Sequence, residues 1–262
     1  MPDMGSQLTL QALENMPVIT PGDDLAVVIG KALSANGLTL QDGDILVLAQ
    51  KIVSKAAGLF VDLKTVEPGE KARELAQITD KDPRLVELIL GQSRSVIRQV
   101  PGVLITEHNS GWIMANAGID ASNVSAQGDE DQVLLLPEDP DQACRKLRDS
   151  FRDLHKVDIG VLINDSFGRP WRHGTTGVAI GADGIACLWD RRGQVDLNGR
   201  ALKVSQQALG DELAAAASLL QGQGDEGKPV VVIRGYTPKA SSPPPARPAA
   251  DLIRAKDEDL FR

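Results

Sequence analysis

Two short runs in this chain gather residues able to hold a hard cation together with the phosphates it would carry. The run Asn116-Ala-Gly-Ile-Asp-Ala-Ser-Asn123 sets Asp120 among small, hydroxylic and amide residues. The run Asn164-Asp-Ser-Phe-Gly-Arg-Pro-Trp-Arg-His-Gly174 sets Asp165 beside the Ser166 hydroxyl, with Arg169 and Arg172 close behind. Carboxylate, hydroxyl and amide oxygens make the shell that a Mg²⁺-like ion prefers, and guanidinium forks match phosphate or carboxylate oxygens. Aspartate also closes turns and starts helices routinely. By residue type alone both readings of the two aspartates stay open.

Further charged groups can be read in two ways. Lys51 and Lys55 follow an apolar run, at the kind of strand end where α/β sites collect ligand contacts; most lysines so placed are simply solvated. Arg169, Arg172, Arg191, Arg192 and Arg200 crowd one third of the chain, either as salt-bridge partners for the 36 acidic residues or as a pocket for a multiply charged anion. His173 is a candidate acid or base, though a lone histidine more often makes a structural hydrogen bond. The spacing of Gly222, Gly227 and Lys228 imitates a phosphate-binding P-loop. Pro229 stands where that motif needs Ser or Thr, and the loop leaves a helix pattern for a strand pattern, the reverse of the true motif. A glycine loop of this kind can still wrap a nucleotide with its backbone groups.

The elements that must position these residues alternate between helix and strand signals. Gly22-Asp-Asp24 predicts a helix start, followed by Leu25, Val28, Ile29 and Leu33 at helical spacing. Ile45 to Ala49 predicts a buried strand that delivers Gln50 and Lys51. Helices are expected over 68–78, 83–92, 139–155 and 206–220, and a hairpin from 103–106 and 112–115 that leads to Asn116. The strand 159–163 is expected to end at Asp165, 177–180 to pair with 185–189, and 229–234 to form a last strand. The chemistry then falls in the connections, and the fold class is mixed α/β (α+β), without the regular rhythm of a doubly wound sheet.

Bulk composition narrows the choices. A net charge of −8 argues against a broad nucleic-acid or anionic-membrane surface. Aromatics are only 3% of residues, so the core must be built from Leu, Val, Ile and Ala. Cys144 and Cys187 have no second Cys or His at ligand spacing and read as buried thiols. No apolar run approaches membrane-spanning length and the N-terminus has no leader pattern, so a cytoplasmic location is expected.

The longer motifs make the chain resemble the F420 γ-glutamyl ligase family, the coenzyme F420-0:L-glutamate ligases. The matching runs are Pro17-Val-Ile-Thr-Pro-Gly-Asp-Asp-Leu25, Asp42-Gly-Asp-Ile-Leu-Val-Leu-Ala-Gln-Lys-Ile-Val-Ser-Lys55, Asn116 to Val124, Asp165-Ser-Phe-Gly-Arg-Pro-Trp-Arg172, Gly177-Val-Ala-Ile-Gly181, Asp211-Glu-Leu-Ala-Ala-Ala216 and Glu258-Asp-Leu-Phe-Arg262. The resemblance implies that family's fold over residues 1–240, as one domain or two intimately packed subdomains, with 241–262 as a Pro-rich link and a segment docking on the body. It implies a GTP- and Mg²⁺- or Mn²⁺-dependent ligase, with K⁺ as a further candidate ion. Such an enzyme adds L-glutamate to coenzyme F420-0, then further glutamates in γ linkage, through an acyl phosphate. A homodimer is expected on the same ground.

Carried over by position, Asp120 and Asp165 would bind metal, with Ser166 at a place the family often fills with Thr. Met16, Pro17, Val18, Ile19, Gln50, Lys51, Lys55 and Asn123 map to nucleotide contacts, Lys55 as a phosphate contact. The last nucleotide segment maps to Gln221, Gly222, Gln223, Gly224, Asp225, Glu226, Gly227 and Lys228. Arg169 and Arg172 are substrate candidates. Gln223 stands where a Glu can supply a second-metal contact, and Gly177 where other members carry Asp, which points to an altered acceptor pocket. The stand-alone form is expected, without the flavin-binding reductase domain fused to some relatives. Two alternatives accompany this reading: a same-fold ligase for another carboxylate acceptor, and a nucleotide-binding protein without catalysis.

Overall fold

The computed structural model describes residues 7–121, 124, 131–236 and 244–259. In chain order the first part runs β1 (Thr9–Ala12), α1 (Leu25–Ala35), β2 (Ile45–Ala49), α2 (Gln50–Ala56) and β3 (Phe60–Asp62). Next come α3 (Glu70–Thr79), α4 (Pro83–Gly91), β4 (Ser93–Val100), β5 (Val103–His108), β6 (Ile113–Ala115) and β7 (Gln132–Leu134). The last part runs α5 (Pro140–His155), β8 (Gly160–Arg169), β9 (Arg172–Asp183), β10 (Leu188–Asp190), β11 (Gln206–Ala208), α6 (Leu209–Gln221) and β12 (Val230–Arg234).

The main sheet has the order β1-β12-β2-β8-β9, and only β2 and β8 lie parallel. Strand β2, residues 160–163 of β8 and residues 230–233 of β12 are apolar because helices cover both faces. Successive side chains point to opposite sides of a strand, and the clusters follow that rule. Leu46, Leu48, Val161, Ile163, Val230 and Val232 pack with Leu25, Ile29 and Leu33 of α1 and Cys144 and Phe151 of α5. Ile45, Val47, Leu162, Val231 and Ile233 pack on the other side with Leu213, Ala214 and Ala217 of α6. Two glycines let the helices come close. A Cβ on Gly181 would stand 2.5 Å from Pro140 at the head of α5, and one on Gly177 would stand 2.4 Å from the Ala214 carbonyl oxygen in α6.

A smaller body carries the sheet β4-β5-β6, the pair β3-β7 and helices α3 and α4. Its core joins Leu63, Leu75, Val86, Ile89, Leu104, Ala117, Ile119 and Val133. Helix starts follow local chemistry. The Asp24 carboxylate accepts from Ala26 and Val27 N–H at 3.0 and 3.2 Å, while Asp82 and Asp139 cap α4 and α5 just before a proline.

Four sequence expectations are corrected here. Strand β8 does not end at Asp165 but runs to Arg169, because β9 pairs with it from Val161↔Asp183 to Arg169↔Arg172. Residues 177–180 therefore pair with β8 rather than with 185–189, and Leu188–Asp190 pairs with Gln206–Ala208. Those last three residues are strand, so α6 begins at Leu209. Strands β1 and β4 carried no sequence signal: their burial alternates only weakly, and backbone pairing holds them.

The smaller body contains a pH-sensitive histidine. His108 is buried, its Nδ1 accepts from Ser110 N–H at 3.0 Å, and its ring lies 5.2 Å from that of Trp112. Burial first, then the charge of Arg94, pushes its pKa down from 6.5 to about 4. The unfolded chain therefore binds the extra proton first, and stability is lost as pH falls from about 6.5 towards 4. Urea unfolding at pH 7 and pH 4.5 should show a His108-dependent loss of about 2–3 kcal/mol, and His108→Gln should flatten that slope.

Candidate active site

Strand β2 ends at Ala49 and the chain turns at once into α2, so Gln50, Lys51 and Lys55 stand at the end of a buried strand. Its parallel neighbour supplies the other half of the site. Ala49 pairs with Asn164, and Asp165 is the first residue of β8 beyond the reach of β2. Asp120 comes from the smaller body. The β5–β6 hairpin ends in a turn in which Asn116, Ala117 and Gly118 all have positive φ (53°, 51° and 69°). Two residues later Asp120 is fixed by main-chain bonds to Leu134, its N–H donating at 3.0 Å and its carbonyl accepting at 2.9 Å. Three left-handed residues in succession cost backbone energy, and here they set the level of the carboxylate.

The side chains then converge. Gln50 is buried; its Nε2 donates to Asp120 Oδ2 at 2.5 Å while its Oε1 accepts from Ser54 Oγ at 3.0 Å. Lys51 Nζ lies 3.6 Å from Asp120 Oδ2. Asp165 Oδ1 accepts from Ser166 N–H at 2.8 Å. Burial, and then the negative charge of Asp120, push the Asp165 carboxyl up to about 7. Burial also raises Asp120, against the pull of Lys51 and Gln50. Burial and the charge of Lys51 lower Lys55, which Asp120 partly offsets. Two carboxylates that disfavour each other's charge in a recess form a place where a cation is stabilising.

These groups line a cavity of about 810 Å³. Met16, Pro17, Val18 and Ile19 form one wall, with Met114, Ile119 and Phe167 nearby. Asp120, Asp165, Ser166, Gln50, Lys51 and Lys55 lie in it, and Gln221, Gly222, Gln223, Gly224, Asp225, Gly227 and Lys228 border it. The expected metal and nucleotide segments are thus brought together, with two qualifications: Asn123 lies outside the described residues, and Glu226 does not line the cavity. The Glu226 carboxylate curls back to accept from Gly224 N–H at 2.8 Å, and backbone bonds of this kind hold it below the usual carboxylate range.

The donor set is oxygen-based. No three His, Cys, Asp or Glu side chains gather at a cation site among the described residues. An ion between Asp120 and Asp165 would therefore complete its shell with the Ser166 hydroxyl, waters and substrate oxygens, the pattern of Mg²⁺ with one or two carboxylates and phosphates. Gln223 is engaged elsewhere: its Nε2 donates to Ser166 Oγ at 2.9 Å and its Oε1 accepts from Thr175 Oγ1 at 3.3 Å. Lys228 Nζ pairs with Glu14 Oε1 at 2.7 Å, which ties the glycine loop to the segment leading into Met16.

The expected arginine pocket does not assemble. Arg169 and Arg172 pair at the tip of the β8–β9 hairpin and do not line the cavity. Arg191 stacks over Trp189 at 4.8 Å, Arg192 is bound to Asp190, and the Arg200 N–H donates to Asp196 Oδ1 at 2.9 Å. Closeness in sequence here serves local turns. Gly177 is likewise no acceptor-pocket position, because its Cβ direction runs into the backbone of α6. Sequence reasoning missed Thr175 and Glu14, which hold the glycine loop. It also missed a role for Asn164, whose buried Nδ2 donates to Gln221 Oε1 at 2.7 Å and to the Ala214 carbonyl at 3.2 Å. Only its place in the strand leading to Asp165 hinted at this.

Fold and site together define a class: an α+β protein in which two carboxylates and a glycine-rich loop line one cavity. Residues 14–235 match the family described as F420-0:Gamma-glutamyl ligase, and the chain belongs to that family. It is 46% identical over 262 residues to a coenzyme F420:L-glutamate ligase of Methanopyrus kandleri, covering 99% of this chain and 100% of that one. The corresponding ligase of Methanothermobacter thermautotrophicus is 43% identical over 256 residues (97% and 99% covered). That of Archaeoglobus fulgidus is 37% identical over 250 residues (95% and 94% covered).

Proposed function

We propose that this protein is a ligase that joins L-glutamate to coenzyme F420-0 at the expense of GTP and then extends the product in γ linkage. The observation that carries the reading is the convergence of Asp120 and Asp165, from two different bodies, in a cavity rimmed by the 221–228 loop. Family membership supports the acceptor and the amino acid.

A carboxylate is a poor electrophile, so amide formation needs it activated. Transfer of the γ-phosphoryl group of GTP to an acceptor carboxylate oxygen gives an acyl phosphate and GDP. The glutamate amine then forms the C–N bond, the C–O bond to phosphate breaks, and the amine gives up a proton. Asp120, Asp165 and Ser166 would hold a Mg²⁺ or Mn²⁺ ion, which supplies charge neutralisation to the crowded phosphates. Lys51 and Lys55 add positive charge from the same side, and the 222–227 backbone wraps the nucleotide. The Gln223 Oε1, which accepts from Thr175 Oγ1, keeps a second lone pair that it can offer to a cation.

A homodimer is part of the proposal. Trp171, Val195, Leu197 and Val204 stand exposed at 81%, 66%, 106% and 85% on the β8–β9 hairpin tip and the loop after β10, apolar area suited to a second copy. We place the enzyme in the cytoplasm, consistent with two free buried thiols. No helix among the described residues is long and apolar enough to cross a membrane. Incubation with F420-0, L-glutamate, GTP and Mn²⁺, read by mass spectrometry of the deazaflavin, should show glutamate-sized increments that vanish without GTP or metal. An unchanged F420-0 peak from folded protein would overturn the acceptor assignment.

A further inference from the structure

The carboxylates that face each other across the cavity are held by different parts of the molecule. Asp165 belongs to the main sheet, whereas Asp120 is anchored through Ile119 and the Leu134 pairing to the smaller body. On the cavity side the Gln50–Asp120 bond links them. At the far end of the β5–β6 hairpin a different element makes the link: the C-terminal strap, residues 244–259.

The strap is tied at both ends. Arg247 bridges in parallel to Ala186, its N–H donating to the Ile185 carbonyl at 2.8 Å and its carbonyl accepting from Cys187 N–H at 3.2 Å. The Asp141 carboxylate, in the first turn of α5, accepts from Ala249 N–H at 2.9 Å and Ala250 N–H at 3.2 Å, and also from Ala182 N–H of β9 at 2.7 Å. Ala249 is fully buried, and with Leu252 it packs into the α6 side of the main core. The strap then reaches the hairpin. Ile253 packs with the cluster holding Trp112 and Met114, and its methyls lie 3.2 and 3.5 Å from where a Cβ on Gly111 would stand. Lys256 Nζ sits 3.9 Å from the carboxylate of nearly buried Glu107 in β5.

We propose that this strap is a positioning element for catalysis: it clamps the turn of the β5–β6 hairpin to the main sheet, and so fixes the distance of Asp120 from Asp165. The hairpin is a short lever. Met114 and Ala115 line the cavity, and the left-handed turn 116–118 passes their position directly to Asp120. A loose hairpin would leave both carboxylates present but badly placed for one ion, and misplacement of that size is costly to catalysis. The proposal rests on the assignment of Asp120 and Asp165 to a common cation.

The test uses full-length Ile253→Ala, with Ile253→Val as the conservative control. Amide exchange, Mn²⁺ affinity by electron paramagnetic resonance, and the kcat and KM for GTP are compared with wild type. In Ile253→Ala, exchange of the 104–115 amides should speed up about tenfold while β2 and β12 keep their protection. Mn²⁺ should bind about tenfold more weakly, kcat should fall more than KM rises, and Ile253→Val should restore most of the loss. Unchanged hairpin exchange, or equal acceleration throughout the chain, would overturn the clamp. Faster hairpin exchange with unaltered Mn²⁺ affinity would overturn its link to Asp120. Failure of wild-type protein to bind Mn²⁺ would instead sink the cation assignment, and the exchange data would still decide the clamp.

Discussion

Asp165→Asn and Asp120→Asn should each lower ligase turnover by roughly 10³-fold without unfolding the protein. The basis is electrostatic. In the metal-free protein both carboxylates are half-buried in one cavity, and the Asp165 carboxyl is pushed up to about 7. The folded state therefore disfavours the very charge that a cation would need. An amide of the same shape removes that conflict, so metal-free Asp165→Asn should melt no lower than wild type and a few degrees higher where the repulsion is felt, at about 2–4 °C per kcal/mol. Added Mn²⁺ should reverse the order, because the ion stabilises only the protein with both carboxylates. Melting curves with and without Mn²⁺, beside turnover assays, read both effects. Full activity in either variant would remove the shared cation from the mechanism.

The parts of the fold that were legible in the sequence are those where burial writes a pattern. Ile45–Ala49 and residues 230–233 are apolar on every position because helices cover both faces, and Asp24, Asp82 and Asp139 announce the helices they cap. The second half of β8 was not legible. Asn164 to Arg169 is polar and carries glycine, and it is strand only because β9 offers a continuous backbone partner. That partner was itself misassigned, since the Gly-Ala-Asp-Gly turn looks like a hairpin until the pairing of Leu188 with Ala208 is known. Strand pairing is a relation between distant residues, and no local window contains it.

The site divides along the same line. Resemblance put Asp120, Asp165, Lys51, Lys55 and the glycine loop on one ligand, and the structure gathers them around one cavity. Adjacency in sequence misled for the arginines: Arg192 closes on Asp190 two residues away, and Arg191 covers Trp189. Glu226, mapped to the same segment by resemblance, folds back to accept from Gly224 N–H and does not line the cavity. The latches Gln223–Thr175 and Lys228–Glu14 join segments far apart in the chain and left no sequence signal.

Gly118→Ala should be the most damaging single methyl in the smaller body. Gly118 has a φ of +69°, and it follows two residues that already occupy the left-handed region. A Cβ there would lie 2.4 Å from Leu136 Cδ1, 2.9 Å from Leu136 Cγ and 2.6 Å from Met114 Cε. Met114 has a flexible end and can retreat. Leu136 is buried in the core and cannot move without opening space behind it. Alanine therefore faces both the left-handed penalty and overpacking, together about 3 kcal/mol. The turn can also relieve the clash by moving, and then it carries Asp120 away from Asp165. Both routes lower activity, but they separate in measurement: denaturant unfolding reads the first, and Mn²⁺ affinity of the folded variant reads the second. Gly102→Ala, in the β4–β5 turn of the same body, is the matched control, with a φ of +80° and nothing within 4 Å of the added Cβ. It should cost less in stability and leave Mn²⁺ affinity nearer to wild type. If Gly118→Ala keeps wild-type stability and Mn²⁺ affinity, the left-handed turn does not set the level of Asp120.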